Sequence, residues 1–419
     1  MSSKYLILKK TIKDKKVTVG VVGLGYVGMP TALALTQAGI KVIGIDIDKA
    51  RVRRLNGSHG SKKFTATANW TEIKKCKVIL VAVPTPLTKN KTPDISAIES
   101  AAKNIAKYLS RDSLVILEST TYPGTTEELV KPILEKPGRV SGKDFYLAYA
   151  PERIDPGNKF PFNDIPKVVG GIDKKSTDLA ATFYLTFLKN VHKVSSPRAA
   201  EFTKLLENIF RLVNVSAINE LNLLADKMGI DIWEAIEAAK TKPYGYMPFY
   251  PGPGIGGHCI GVDPFYLSWK AREYGFFARF IELAGEINEL MPHHVVTKVI
   301  WALNRAKKPL RGSKILVLGV AYKKDIDDAR ETPAAPIIKA LIRKGALVSY
   351  HDPHVPRFKI GSHELRSTPL SRTTIKGADC VLILTDHSNV DYSAVAKSAK
   401  LIVDTRNAIK TPSPKVIRF

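Results

Sequence analysis

One cysteine stands where chemistry would be done. Cys259 lies in Tyr250-Pro-Gly-Pro-Gly-Ile-Gly-Gly-His-Cys-Ile-Gly-Val-Asp-Pro264, and Asp263 follows it at +4. Glycine permits positive φ and close approach to the backbone, while proline removes a donor and fixes φ. The stretch is therefore expected to be loop, neither helix nor ordinary strand. A thiol placed on such a loop is a candidate nucleophile; the alternative is a tight turn with an incidental cysteine. Upstream, Lys204 and Asn208 are four apart in a helical run, so they share one face and can converge on a single ligand. Read bare, the same pair is an ordinary solvated face.

These groups need elements to hold them, and a dinucleotide half comes first. Val17–Val22 is a β-branched run, Gly23-Leu-Gly25-Tyr26-Val27-Gly28 follows, Met29–Ala38 is helical in composition, and Lys41–Asp46 is a second strand. Strand, glycine turn, helix and strand, with an acid about 20 residues on, is the dinucleotide fingerprint. Gly23 allows the tight turn, Gly25 lets a pyrophosphate approach, and Gly28 permits close helix–strand packing. Asp46 would accept from the ribose hydroxyls and repel a 2′-phosphate, favouring NAD over NADP. Asp48, Arg51 and Arg53 lie close enough to temper that preference.

Further αβ units place polar residues just past strand ends, where doubly wound folds bind ligands. Thr85 follows the strand Val78–Val83 and Thr120 follows Leu114–Glu118; either can contact a cofactor or substrate hydroxyl, or satisfy local backbone. Glu152 and Arg153 follow Phe145–Tyr149, and Glu152 can hold or activate a water or be a solvated loop acid. Ala200–Ala225 then reads as a long helix, a spine and dimerisation surface, with more helix over 265–275 and 280–290. A second αβ unit opens at Lys314-Ile-Leu-Val-Leu-Gly319 without a full glycine fingerprint. Gly319, Lys323 and Arg330 mark its crevice, although both cations can equally be surface charge. The expected fold is α/β: two Rossmann-like doubly wound domains, 1–196 and 309–419, joined by a central helical segment, 197–308.

The totals narrow the classes. The chain has 419 residues and only three cysteines, Cys76, Cys259 and Cys380, in no metal or CxxC spacing. A disulfide framework is not expected, no metal site is predicted, and a reducing, cytoplasmic setting fits best. The apolar runs Val78–Pro84 and Val381–Thr385 are far too short for a membrane span. The lysine-rich segment 1–16 lacks the apolar core of a signal peptide and reads as a solvated basic arm. A net charge of +25 attracts polyanions in general, but the cations are spread along the chain, so no specific nucleic-acid partner is expected.

Taken together, the motifs resemble the nucleotide-sugar (UDP-glucose/GDP-mannose) 6-dehydrogenase family over nearly the whole chain. The resemblance runs through Gly23–Gly28 with Asp46, Ser119–Thr125, Pro151-Glu152, Ala200-Glu-Phe-Thr-Lys204 with Asn208, Gly254–Cys259 with Asp263, Gly319–Lys323 with Arg330, and Asp404-Thr-Arg-Asn407. The wording of 149–157, 204–211 and 251–259 is similar to the branch acting on UDP-N-acetylhexosamines. It implies four-electron oxidation of a sugar C6 alcohol to the carboxylate with two NAD, through a thiohemiacetal and a thioester on Cys259. Lys204 and Asn208 would hold the oxyanion and a water, with Asp263, Glu152 and Thr120 handling water and protons. A nearby ammonium lowers a thiol pKa and stabilises negative oxygen. The cofactor set implied is Gly23, Gly25, Tyr26, Val27, Gly28, Asp46, Arg51, Thr85 and Thr120. The UDP-sugar would meet Glu152, Arg153, Lys204, Asn208, Arg211, Tyr250, Gly256, Lys323, Arg330 and Arg406. A homodimer through the central helix is implied as well. One departure is Pro156, where the UDP-glucose branch usually carries a second glutamate. The alternatives are a UDP-glucose or GDP-mannose enzyme, an oxidation that stops at the aldehyde and needs no cysteine, and a basic nucleic-acid-binding protein keeping a redundant dinucleotide fold.

Overall fold

A computed structural model describes residues 3–88, 90, 92–154, 157, 160–361 and 363–419, excepting the side chains of Ser3, His258, Cys259 and His363. The chain divides into two compact units, Met1–Glu207 with Phe265–Phe276, and Asn208–Pro264 with Phe277–Phe419.

Apolar β-branched runs dictate the first unit's sheet. Its strands are β1 (Thr18–Val22), β2 (Lys41–Ile45), β3 (Phe64–Thr67), β4 (Val78–Val81), β5 (Ser113–Leu117), β6 (Phe145–Tyr149), β7 (Lys167–Gly171) and β8 (Val191–Lys193). Among the described residues they form one eight-stranded sheet in the order β3-β2-β1-β4-β5-β6-β7-β8. Every pairing is parallel except β6 with β7. The order reverses between β1 and β4, which opens the crevice of a doubly wound fold at their carboxyl ends. Helices cover both faces, so both are apolar: Val19, Val21, Val78 and Leu80 feed one core, Val22, Ile79, Val81 and Val115 the other.

The first residues differ from expectation. The basic arm is a helix, Ser3–Lys13, whose Tyr5, Leu8 and Ile12 are buried along one face. The 3- and 4-residue spacing of these side chains places an apolar stripe on the sheet's own core. Tyr5 Oη donates to Asp178 Oδ2 at 2.5 Å and Lys9 Nζ pairs with the same carboxylate at 2.6 Å.

In the second unit, β9 (Lys314–Leu318), β10 (Leu347–His351), β13 (Cys380–Ile383), β14 (Ile402–Asp404) and β15 (Val416–Arg418) make a parallel sheet ordered β10-β9-β13-β14-β15. A short antiparallel hairpin, β11 (Arg357–Ile360) with β12 (His363–Arg366), stands apart from it. Gly319, at φ +80, repeats the tight turn of Gly23, since a Cβ there would stand 2.5 Å from the backbone oxygen of Thr385. Long helices Pro197–Met228 and Arg279–Arg305 provide the helical segment. No helix among the described residues is long and apolar enough to cross a membrane.

Candidate active site

The glycine loop of the first unit fits a dinucleotide on steric grounds. Gly23 has φ +90 and a Cβ there would sit 2.4 Å from Ala82 O; at Gly28 it would sit 1.8 Å from Gly23 O. At Gly25, by contrast, a Cβ would meet nothing within 4 Å, so the space above its backbone is open. The helix Gly28–Gln37 begins there, with Val27 at its N-cap position and no capping side chain; Met29 N donates to Gly25 O at 3.1 Å and Pro30 has no N–H, which leaves the Gly28 N–H for an anion. Tyr26 is exposed beside it. Asp46 is buried: its Oδ2 accepts from Leu24 N at 2.9 Å and from Arg51 Nη1 at 3.1 Å, its Oδ1 from Asp48 N. The acid is thus fixed against the glycine turn, and Arg51 is held beside it.

Thr85 and Thr120 meet at the ends of β4 and β5, where Thr85 Oγ1 donates to Thr120 O at 2.8 Å. Tyr266 Oη donates to the carbonyl of Thr85, pinning this edge of the crevice from the helix His258–Ala271. Thr85 thereby satisfies local backbone and keeps its lone pairs as acceptors.

Glu152 is no solvated acid. It is buried, its Oε1 accepts from Arg153 N at 2.7 Å and Ile154 N at 2.8 Å, and its Oε2 from Lys167 Nζ at 2.8 Å. Burial opposes its charge, but Lys167 and these donors hold its carboxyl below the usual range. Arg153 forks onto Glu207, with Nη2 to Oε1 at 2.7 Å and Nε to Oε2 at 3.3 Å, and also reaches Pro166 O. Asp155 and Pro156, with the departure at Pro156, lie outside the described residues.

Lys204 is 7 % exposed and Asn208 3 %, one turn apart on Pro197–Met228, which removes the solvated-face reading for both. Glu201, on the same helix, is wholly buried and accepts from Gly124 N, Thr126 N and Thr126 Oγ1, so it fixes the turn after β5.

In the second unit, Asn208 Nδ2 donates to Asp263 Oδ2 at 2.6 Å, and Asp263 is buried. The glycine–proline stretch is loop only up to Gly257. From His258 the backbone is helical through Ala271, with Pro264 inside, so the expectation of loop over 258–264 is corrected. A proline within the first two turns of a helix forfeits one bond to the carbonyl four residues earlier and can be carried when the rest of the helix continues. Cys259 stands at the second position of this helix; its side chain lies outside the described residues. The preceding loop is clamped from three sides: Gly252 N donates to Asn219 Oδ1, Ile255 N to Asn288 Oδ1, and Gly257 N to Glu331 O. Gly256 has no room for a side chain, because a Cβ would come within 2.8 Å of Tyr322, Glu331 and Pro333.

The predicted substrate contacts of this unit are placed as follows. Arg406 Nη1 approaches within 2.5 Å of the position a Cβ would take on Gly252, and its Nε donates to Leu384 O. Tyr250 stacks on Trp233 and donates to Glu237 Oε1 at 2.7 Å. Arg330 is exposed and forked on Asp328, at 2.8 and 2.6 Å, while Lys323 and Arg211 are half-buried. No metal was expected here, yet Asp325, His354 and His387 bring one ligand atom each within 4.8 Å of one another. The His387 ring is already spoken for: Nδ1 accepts from Asp325 N at 3.0 Å and Nε2 contacts Asp352 Oδ2 at 3.1 Å. Burial pushes the Asp352 carboxyl up, but this contact and the N–H groups of Val320 and Ala321 bring it down to about 2.

Three family models match in order. They are the NAD binding domain (17–60 and 56–188), the central domain (198–290) and the UDP binding domain (316–411) of the UDP-glucose/GDP-mannose dehydrogenase family. The chain belongs to that family. It is an NAD-dependent oxidoreductase with a UDP-binding domain. Its relatives include a UDP-N-acetyl-D-glucosamine 6-dehydrogenase of Pseudomonas aeruginosa, 35 % identical over 405 residues, 93 % of this chain and 94 % of that protein. A UDP-N-acetyl-D-mannosamine dehydrogenase of Pyrococcus horikoshii is 35 % identical over 419 residues, 94 % and 96 % of the two chains. A solved UDP-D-ManNAc dehydrogenase structure from Pyrococcus horikoshii superposes with a TM-score of 0.86 at 34 % identity, covering 96 % of this chain and 98 % of its own.

Sequence reading missed four side chains that shape these surroundings: Lys167, Glu118, Asn219 and Asn288. Glu118 left a trace, as a carboxylate ending the apolar run Leu114-Val-Ile-Leu. The two asparagines left none, because their partners are backbone amides of a loop distant in sequence.

Proposed function

We propose that this enzyme oxidises the C6 alcohol of a UDP-N-acetylhexosamine, UDP-N-acetylmannosamine or UDP-N-acetylglucosamine, to the carboxylate. The observation that carries the reading is the buried Asn208–Asp263 pair, which joins the helix bearing Lys204 to the stretch bearing Cys259. An enzyme stopping at the aldehyde has no use for a buried amide–acid pair anchored four residues past a cysteine. The substrates named for the relatives point to the N-acetylhexosamine branch, and Pro156 in place of a second acid agrees with it.

NAD, bound at Gly23–Gly28 and Asp46 with Thr85 and Thr120 at its edge, supplies the oxidising capacity, two molecules per sugar. Cys259 adds to the aldehyde to give a thiohemiacetal, and its oxidation leaves a thioester. Water then attacks the thioester carbonyl, the C–S bond breaks, and the thiolate leaves with the carboxylate formed. Lys204 and Asn208 stabilise the tetrahedral oxyanion. Asp263 and Glu152 orient water and manage its proton. The UDP moiety is held by Lys323, Arg330 and Arg406, with Arg153, Arg211, Tyr250 and Gly256 around the sugar. The working division is 1–196 for the cofactor, 197–308 for dimerisation and the catalytic loop, and 309–419 for the nucleotide. The enzyme is a cytoplasmic homodimer paired through the helix Pro197–Met228, whose Phe202, Leu206, Phe210, Leu221 and Leu224 are exposed.

The test is stoichiometry. Purified enzyme given each UDP-sugar with excess NAD should release about two NADH per sugar. The Cys259→Ala protein should bind UDP-sugar without forming carboxylate. One NADH per sugar, or full turnover by Cys259→Ala, overturns the proposal.

A further inference from the structure

Glu152 is one corner of a buried charge cluster whose other members the reaction as stated does not use. Lys167, at the start of β7, is 5 % exposed and its Nζ lies 2.8 Å from Glu152 Oε2 and 3.1 Å from Glu118 Oε1. The ammonium also sits over the Tyr184 ring, 5.1 Å from its centroid. Its three N–H directions thus meet two carboxylates and one aromatic face. Tyr184 Oη donates to Glu118 Oε1 at 2.6 Å, and Glu118 Oε2 is buried without a hydrogen-bond partner among the described residues.

A carboxylate offers about four lone-pair directions. Arg153 N and Ile154 N occupy both on Glu152 Oε1, and Lys167 takes one on Oε2. One remains. We propose that Lys167 is the positioning residue of this active site: clamped by Glu118, it fixes the Glu152 carboxylate in a single orientation and spares one Oε2 lone pair for the reacting water. This deepens the role given to Glu152 above and rests on it.

A buried ammonium between two acids is held by the pair, and removing it would leave uncompensated negative charge. Burial works against Lys167, but Glu118 and Glu152 outweigh it and raise its pKa. Burial raises Glu118, against the pull of Lys167, while Glu152 is brought below its ordinary range. The two acids therefore divide the labour, Glu118 taking the protonated state first. Among the described residues, the Tyr184 phenol also feels Glu152, while the Arg153 side chain is turned to Glu207.

The experiment measures NADH release from UDP-N-acetylglucosamine and UDP-N-acetylmannosamine between pH 5 and 9 for wild type, Lys167→Arg, Lys167→Met and Glu152→Gln. Lys167→Met should lose at least about tenfold in kcat. Its acid limb should move up by about one pH unit or more. Lys167→Arg should recover most of the rate with the limb in place, which mere core filling would not do. A Lys167→Met profile that superimposes on wild type overturns the proposal. Should Lys167→Met not fold, an infrared carboxylate titration of wild type minus Glu152→Gln decides: Glu152 must stay ionised through the ordinary carboxylate range, and titration within or above it overturns the proposal. Full turnover by Glu152→Gln would overturn the catalytic reading of Glu152 instead, and the infrared titration would still read the Lys167 contact.

Discussion

Asn208 Nδ2 donates to Asp263 Oδ2 at 2.6 Å with both side chains buried, so an amide on the long helix and an acid four residues past Cys259 form one unit. A hydrogen bond to a buried carboxylate contributes about 1.5–3 kcal/mol, and cutting it from one side leaves a charge with one donor fewer. Asn208→Ala should therefore lower the melting temperature as well as the rate. Asp263→Asn keeps the shape and removes the charge, so it should lower kcat by about a hundredfold or more while UDP-sugar binding, read by calorimetry, holds. Turnover within twofold of wild type in Asp263→Asn would remove Asp263 from the chemistry.

The two described cysteines are buried in apolar cores, and burial pushes both thiols up to about 12. At neutral pH they carry almost no thiolate, the form that reacts. Native wild-type enzyme should consume one equivalent of an alkylating reagent within minutes, with loss of activity, and UDP-sugar should protect it. Native Cys259→Ala should consume none, and two equivalents once unfolded. Rapid alkylation of Cys76 or Cys380 in the folded protein would contradict their placement.

Glu201 supplies a pH dependence of stability. Burial is the main cause that raises its carboxyl to about 7, only partly offset by the donors at Gly124 and Thr126. Between the ordinary value and about 7 the folded protein binds the proton more tightly than the unfolded chain. The stability this group contributes is thus fully present below about 4.5 and is lost as pH rises through about 7, on the order of 3 kcal/mol in all. The melting temperature of wild type relative to Glu201→Gln should rise as pH falls from 8 to 5. A difference that is flat with pH would mean Glu201 titrates elsewhere.

Much of the fold was legible because its strands are apolar runs ended by turn chemistry. The run Val17–Val22 with its three glycines gave β1, the turn and the switch point. Strands of three or four residues with mixed composition were not legible: β3 (Phe-Thr-Ala-Thr), β8 (Val-His-Lys) and β15 (Val-Ile-Arg) gain their identity from neighbours in the sheet rather than from their own pattern. The helix Ser3–Lys13 was hidden by its lysines, which lie on the outer face of a stripe made by Tyr5, Leu8 and Ile12. At the site, Lys204, Asn208, Glu152 and Asp263 could be singled out by type and motif. Their burial could not, nor could the clamp of Lys167 and Glu118, because contacts such as Glu152 with Lys167 join strand ends that only the sheet order brings together.

Cofactor choice turns on Asp46 and Arg51. Arg51 Nη1 is 3.1 Å from Asp46 Oδ2, so the guanidinium is neutralised where a 2′-phosphate would need it. The same carboxylate would repel that phosphate at short range. Asp46→Asn keeps an acceptor for Leu24 N, removes the negative charge and releases Arg51 toward the ribose. The ratio of kcat/KM for NADP to that for NAD should rise by about tenfold or more, chiefly through a lower KM for NADP. Adding Arg51→Ala to Asp46→Asn should reverse most of the gain, since the released guanidinium is its source. A double variant that still favours NADP as strongly as Asp46→Asn would show that repulsion by Asp46 alone sets the preference.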